Sequence, residues 1–380
     1  MVVPRSFGPH TLTILCTYQC TAACRQCCFE SSPSVKGRLS REVILARIAE
    51  AKLAFPDLAL VVFSGGEAMM LREDLYSAIR YCSDEALVSR VVSNGYWGKS
   101  SRTARIAIDG LREAGLSELN ISTGTDHLEW VPLDSVINAA ATAAESGIFS
   151  LVTVESEQPG ARIIDQLVAN DRLAPLIQQG RVSLQSNSWM PFNSGADDRR
   201  QSIDHAEMRK GCSQIMGTVV VTPHDNLSAC CGLALEHIPE LRLGACDGRN
   251  MGDLYLEQLG DFLKLWLRVD GPYSIIERVM GDKADGLLKG AVHVCEACLT
   301  LHKNPEVREA LTHRYLDFVP EVLTRFKVDA VCNPTDNTRR GHHCPLVAGQ
   351  PSPRRYSRRT DATGYRSGLE LRLQSSWSQV

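Results

Sequence analysis

The sequence lacks a long apolar run and an excess of charge of either sign. No stretch approaches the roughly 20 apolar residues needed to cross a bilayer, so we expect no membrane span. Lys and Arg number 41 and Asp and Glu 44, and the net charge of −3 gives no reason to expect nucleic acid or an anionic membrane as a partner. The N-terminal residues show no signal-peptide pattern, and we therefore predict a cytoplasmic protein.

Cysteine, in contrast, is abundant. The chain has 14 cysteines among 380 residues, and five of them fall between Cys16 and Cys28. Without a secretion signal the protein is expected in a reducing compartment, where a disulfide framework explains clustered thiols poorly. Clustered thiols in that setting more often bind metal.

The first half of the chain alternates short β-branched apolar runs with helical patterns. The predicted strands are 11–15, 58–63, 87–92, 118–121, 150–154 and 181–184, and the predicted helices are 41–53, 74–82, 103–114 and 133–145. Ser40 and Asp134 are predicted N-caps, and Gly115 and Gly147 predicted helix stops. This β-α alternation predicts an α/β fold with a parallel sheet or an open barrel, in which ligands lie at the carboxyl ends of the strands.

The rhythm breaks after residue 187. We predict a first domain over residues 1–190 and a second, smaller α+β domain over 191–304, with a hairpin around 219–230 and a helix near 256–267. A helical segment over 305–332 follows. The tail, 333–380, is rich in Arg, Pro, Ser and Gly, a composition that predicts disorder.

The first cysteine cluster lies directly after the first predicted strand. Cys20, Cys24 and Cys27 form a C-x3-C-x2-C pattern, which can hold three irons of a cubane and leave the fourth iron open to a ligand. Zinc is the alternative, although zinc ligands usually come in two-by-two spacing. The choice of the three ligands stays open, because Cys16-Cys20-Cys24 and Cys20-Cys24-Cys28 are also evenly spaced triples. Cys16 is expected to be a buried apolar residue.

The C-x3-C-x2-C loop resembles the signature of radical S-adenosylmethionine (SAM) enzymes. The resemblance implies a partial TIM-like (β/α)6 barrel and a [4Fe–4S] cluster held by Cys20, Cys24 and Cys27. In this family the open iron chelates SAM, which is reductively cleaved to a 5′-deoxyadenosyl radical that takes hydrogen from the substrate. One position departs from the family pattern, since Gln26 stands where an aromatic residue is usual, and Phe29 is a nearby aromatic that could compensate.

The next three strand ends carry further elements of the same resemblance. Ser64, Gly65, Gly66 and Glu67 follow the second strand, Ser93 and Asn94 the third, and Ser122 the fourth, and the resemblance implies that they bind SAM. Asp126 and His127 come next and are our candidates for catalytic contact with substrate or cofactor. Weaker candidates are Glu155, Gln185 and Asn187, and Trp189 and Met190 are candidate substrate-lining residues.

A second set of cysteines comprises Cys212, Cys230, Cys295 and Cys298. On spacing alone, zinc and iron–sulfur fit this set equally well. The set is similar to the twitch domain, the short form of the SPASM domain of many radical SAM enzymes, which implies one auxiliary [4Fe–4S] cluster. Cys231 is an alternative to Cys230, whereas Cys246, Cys332 and Cys344 do not reproduce the pattern of a full SPASM domain.

The resemblance implies a redox enzyme that needs an external electron donor such as flavodoxin or ferredoxin. The preferred substrate is a ribosomally synthesised peptide, modified by a cross-link, a thioether or epimerisation. The alternative is dehydrogenation of a small molecule, and a remote one is a non-catalytic zinc or electron-transfer protein. Peptide-modifying relatives often carry an N-terminal leader-binding domain; because the cluster loop begins at residue 20, we expect none here.

Overall fold

Nine strands form one sheet at the centre of the computed structural model, which describes residues 3, 8–155, 162–187, 189–190, 192 and 205–332. The predicted disordered tail and Cys344 lie outside the described residues. The sheet order is β6-β5-β4-β3-β2-β1-β7-β8-β9. The strands are β1 (Thr11–Thr17), β2 (Leu60–Gly65), β3 (Val88–Ser93), β4 (Glu118–Thr123), β5 (Phe149–Glu155), β6 (Val182–Asn187), β7 (Thr218–Val221), β8 (Asn226–Ser228) and β9 (Arg242–Ala245).

Strands β1 to β6 lie in chain order and all pair in parallel, which confirms the predicted α/β fold. A parallel sheet is covered by helices on its faces, so its central strands are apolar throughout. All seven residues of β1 are buried for this reason. The carboxyl ends of the six strands consequently share one edge of the sheet, where the loops that follow them come together.

Strand β7 returns to pair in parallel with β1, on the side opposite β2. It is followed by antiparallel β8 and β9, and the β7–β8 pair is the predicted hairpin. The segment that carries the second set of cysteines therefore extends the same sheet and lies beside the loop that follows β1.

Helices connect and cover the strands. They are α1 (Arg41–Ala54), α2 (Glu73–Asp84), α3 (Ser101–Glu113), α4 (Thr125–Leu128), α5 (Leu133–Glu145), α6 (Ile163–Val168), α7 (Ala174–Gln178), α8 (His205–Met208), α9 (Met251–Glu257), α10 (Phe262–Met280, kinked at Gly271), α11 (Ala284–Leu288), α12 (Val294–Lys303) and α13 (Pro305–Cys332). None of these described helices is long and apolar enough to span a membrane.

Most predicted helix ends are confirmed and two are wrong. Ser40 caps α1 by accepting a hydrogen bond from the Val43 amide, and Gly115 and Gly147 take positive φ after α3 and α5. Asp134 is not an N-cap, because α5 begins one residue earlier, after Pro132. The single helix predicted near residues 256–267 is two helices, since the Asp261 side chain caps α10 in the middle of that span.

Candidate active site

The carboxyl ends of β1 to β5 surround one cavity of about 80 Å³. Its cysteines are Cys20, Cys24 and Cys27 from the loop after β1, together with Cys28. Its other predicted residues come from four successive strand ends; they are Ser64, Gly65, Gly66, Ser93, Asn94, Ser122, His127 and Glu155. The cavity has the mixed apolar and polar lining of a small-molecule site.

The three thiols of the predicted cluster loop lie close enough to influence one another. Burial raises the pKa of Cys20 to about 12, and charges on Glu67 and Cys27 raise it further. Burial also raises the pKa of Cys24, to which Cys27 and Cys20 both contribute. Because metal ligands must be deprotonated, an iron cluster would supply the positive charge that ionises these thiols, and the converging donor set fits such a cluster.

Two polar side chains from neighbouring strand ends hold the cysteine loop in place. Asn94 Nδ2 donates to Thr21 Oγ1 at 3.0 Å and lies 3.6 Å from Cys20 Sγ. Asp126 Oδ2 accepts the amide of Gln26 at 3.2 Å, and the Asp126 side chain is buried without lining the cavity. The structure thus places Asp126 behind the loop, where it positions Gln26, instead of at the cavity wall.

Gly65 and Gly66 are required by the close approach of two loops. The Gly66 amide donates to the Thr17 carbonyl at 2.6 Å, and the Glu67 amide donates to Gln19. A Cβ at Gly65 would lie 2.4 Å from the Thr17 carbonyl oxygen, and one at Gly66 would lie 2.2 Å from that of Gln19. The glycine pair therefore lets the end of β2 pack directly against the loop that carries the cysteines.

Glu67 faces away from the cavity and connects two strand ends. Its carboxylate is fully buried and accepts hydrogen bonds from Ser93 Oγ at 2.9 Å and from the Asn94 amide at 2.8 Å. It also accepts the Met69 amide at 3.0 Å. Burial raises the pKa of Glu67 to about 7. The carboxylate fixes the position of Ser93 and Asn94, which do line the cavity.

The raised pKa of Glu67 predicts a pH effect on stability. Between pH 4.5 and about 7 the folded protein retains a proton on Glu67 that the unfolded chain releases, so this group's contribution to the free energy of unfolding falls as pH rises through that window. The decrease is about 3 kcal/mol and levels off above pH about 7. Chemical denaturation of the apoprotein across this window should show a smaller decrease with rising pH in Glu67→Gln than in the wild type.

The exposed Glu113→Gln on α3 is the matched control and should keep the wild-type pH dependence. An identical pH dependence in Glu67→Gln and the wild type would show that Glu67 does not titrate in this window.

His127 and Glu155 are neighbours on the cavity wall. His127 Nδ1 lies 3.4 Å from Glu155 Oε2, and Glu155 Oε1 accepts the Asp126 amide at 2.6 Å. Gly124, with φ +145°, leaves room for the Glu155 side chain, since a Cβ there would lie 1.8 Å from Glu155 Cγ. Glu155, a weaker candidate in the sequence, thus lines the cavity at the end of β5.

The remaining candidates divide between the cavity and its surroundings. Trp189 lines the cavity, whereas Met190, Gln185 and Asn187 are buried without lining it. Gln26 is also buried; its side-chain oxygen accepts the Phe192 amide at 2.6 Å, and its carbonyl accepts the Trp189 indole N–H. Through these two hydrogen bonds Gln26 fixes Trp189 and Phe192, which follow β6, against the cysteine loop.

The second set of cysteines lines a separate cavity of about 40 Å³. All four predicted residues are there, namely Cys212, Cys230, Cys295 and Cys298, and the rest of the lining is almost entirely apolar. Cys231 is buried but does not line this cavity. Among the described residues no three His, Cys, Asp or Glu side chains are arranged to hold a metal ion.

Helix α12 presents two of these thiols at its start. Cys295 and Cys298 lie in the first two turns of α12, and burial raises the pKa of both thiols. His293 caps the helix, its Nδ1 accepting the Cys295 amide at 3.0 Å, and burial lowers the pKa of His293 to about 4. The histidine is therefore neutral at physiological pH and can act as this acceptor.

Residues 14–155 match the model of the radical SAM superfamily. They form a radical SAM domain. This radical SAM domain contains every predicted residue that lines the first cavity except Trp189, and it ends before the second set of cysteines.

The similarity extends to named proteins, each over part of its length or at low identity. The putative peptide biosynthesis protein YydG of Bacillus subtilis is 27% identical over 129 residues, 34% of this chain and 40% of YydG. A structure of anSMEcpe with bound AdoMet has a TM-score of 0.51 at 14% identity over 84% of this chain and 100% of that one. Streptococcus suis SuiB bound to its precursor peptide SuiA has a TM-score of 0.50 at 12% identity, over 66% of this chain and 65% of SuiB.

This chain therefore spans less than two thirds of the length of YydG and of SuiB. At these identities the solved structures support the fold alone, a mostly parallel α/β sheet followed by a helical C-terminal region.

Proposed function

We propose that the protein is a radical SAM enzyme that modifies a peptide in a redox reaction. One observation supports this most. Three cysteines and polar residues from four strand ends line one cavity, and all of them lie within the stretch that matches the radical SAM superfamily. The cluster bound there would supply one electron for reductive cleavage of SAM, giving a 5′-deoxyadenosyl radical that abstracts hydrogen from the substrate.

The chain's own residues have separate tasks in this proposal. Cys20, Cys24 and Cys27 hold the cluster. The loops after β2, β3 and β4 bind SAM through the groups that line the cavity, Ser64, Gly65, Gly66, Ser93, Asn94 and Ser122. Glu67 acts through Ser93 and Asn94, which it fixes by hydrogen bonds.

His127 is the group best placed to hold or move a proton at this site. Its ring lies on the cavity wall with Nδ1 3.4 Å from Glu155 Oε2, and imidazole side chains commonly act as general acids or bases. Asp126 positions the cysteine loop through the Gln26 amide and does not itself line the cavity. We therefore assign proton handling to His127 with Glu155.

The second cavity fits one auxiliary [4Fe–4S] cluster held by Cys212, Cys230, Cys295 and Cys298. Four thiols leave no iron open, and an apolar lining keeps water away, which suits electron transfer more than substrate binding. We accordingly propose an auxiliary cluster domain over residues 191–304, with flavodoxin or ferredoxin as the external donor and the cytoplasm as the compartment.

Two similarities support a peptide as the substrate. YydG is named a putative peptide biosynthesis protein, and SuiB was solved with a precursor peptide. Dehydrogenation of a small molecule is the competing outcome. The discriminating experiment incubates the reconstituted enzyme with SAM, a strong reductant and each short peptide encoded beside its gene, and follows peptide mass and 5′-deoxyadenosine.

A mass change that depends on SAM supports the peptide assignment. Cleavage of SAM without any peptide change, together with turnover of a small alcohol, would overturn it. Metal analysis tests the class of protein: about eight irons and eight sulfides per chain are expected for two cubanes. Two zincs and no sulfide would instead indicate the non-catalytic alternative.

A further inference from the structure

Cys28 lies between the two cysteine sites and belongs to neither proposed ligand set. It follows Cys27 directly, and its side chain is only 3% exposed and lines the first cavity. Burial raises the pKa of the Cys28 thiol, and charges on Cys27 and Cys295 raise it further. Residues from both sites are therefore electrostatic neighbours of this one side chain.

A hydrogen bond joins Cys28 to the segment over residues 232–237. His237 Nε2 lies 3.2 Å from the Cys28 carbonyl oxygen, and because a carbonyl only accepts, the ring nitrogen is the donor. The His237 ring is stacked on Phe192, with centroids 5.2 Å apart and planes at 25°. The Phe192 amide is bound in turn by Gln26, so the ring has a defined orientation.

The other end of the same segment contacts the second cysteine site. A Cβ at Gly232 would lie 3.0 Å from Cys295 Sγ and 3.6 Å from Cys230 Sγ. The backbone amides of Leu233 and Ala234 also donate hydrogen bonds to Cys295. A short covalent stretch thus connects the two sites, with one hydrogen bond to Cys28, next to Cys27, at one end and two to Cys295 at the other.

We infer that the Cys28–His237 hydrogen bond is part of the electron path between the two clusters, an inference that rests on the proposed function. The rate of electron tunnelling falls off more slowly with distance along covalent bonds and hydrogen bonds than through space. The Cys28–His237 hydrogen bond spares the electron a through-space jump between the loop after β1 and the segment that contacts Cys295. One electron leaves the reduced cluster at one site and reduces the oxidised cluster at the other. No proton moves and no bond forms; a low-potential external donor supplies the first electron.

The test measures electron redistribution and does not depend on turnover. The protein reconstituted with both clusters is mixed rapidly with a substoichiometric amount of dithionite and frozen at successive times. Electron paramagnetic resonance then quantifies each reduced cluster, and added SAM identifies the one with the open iron. His237→Phe, which keeps a stacking ring without the donor, should redistribute the electron severalfold more slowly. His237→Gln, whose amide can donate to the same carbonyl, should restore much of the rate.

His224→Phe is the matched control, since this nearby histidine contacts the Tyr18 ring and is not bonded to Cys28. It should redistribute at the wild-type rate. If His237→Phe loses iron, Phe192→Ala provides a second test, because it removes the ring that orients His237. Wild-type rates in both variants, with full iron content, would overturn the path while leaving the proposed function intact. A wild-type protein with about four irons would instead refute the auxiliary cluster itself.

Discussion

Replacing Cys20, Cys24 and Cys27 together with alanine is expected to abolish 5′-deoxyadenosine formation and to remove about four irons per chain. The three thiols line one cavity with the strand ends that are proposed to bind SAM, so their loss removes the cluster on which SAM cleavage depends. The measurement is iron and sulfide analysis after anaerobic reconstitution, followed by chromatographic quantification of 5′-deoxyadenosine with dithionite as the reductant.

Cys16→Ala is the matched control for this triple variant. Cys16 belongs to the competing register 16-20-24, but it is fully buried within β1 and does not line the cavity. The control should keep its iron and its SAM cleavage, apart from a modest cost in stability for the lost packing. Normal SAM cleavage by the triple variant would refute the assignment of the cluster ligands.

Replacing Cys295 and Cys298 with alanine should remove a different set of about four irons and leave SAM cleavage uncoupled from substrate modification. The second cavity is separate from the first, so its loss removes an electron partner without removing the site of cleavage. Iron content, 5′-deoxyadenosine and modified product are measured on the same preparation. The expected pattern is half the iron, persistent 5′-deoxyadenosine and no product.

Cys246→Ala provides the comparison for the double variant. Cys246 is buried close to the β7–β8 hairpin and lines neither cysteine cavity, so its replacement should keep all the iron. Full iron in the Cys295 and Cys298 variant would mean that the second site was misassigned. Loss of all iron would mean that the two clusters do not assemble independently.

The strands of the radical SAM domain were predictable because a parallel sheet buries both faces of its strands. Runs such as that of β1 are consequently rich in apolar and β-branched residues, a pattern visible without coordinates. Helix ends were less predictable, since capping depends on the backbone conformation of a single residue. Pro132, and not Asp134, precedes α5, and Asp261 divides a stretch that looked continuous.

The roles of individual site residues needed the fold. Glu67 and Asp126 stand in the sequence where ligand-binding groups are expected, yet both carboxylates bind the protein's own loops behind the cavity. Glu155 was only a weak candidate because nothing local marks it. Its place on the cavity wall beside His127 depends on the pairing of β5 with β4 and on the space that Gly124 leaves.

The sequence by itself determined the succession of strands and helices along the first half of the chain, the cysteine loop after β1 and the polar groups at the next strand ends. Each of these depends on local pattern and spacing. Only the tertiary structure decided which groups meet. The close approach of Gly66 to Gln19, the position of Cys230 on one cavity wall with Cys295, and the hydrogen bond of His237 to Cys28 all join residues far apart in the chain. Such contacts follow from the packing of β7 to β9 and α12 around the loop after β1, and no local pattern encodes that packing.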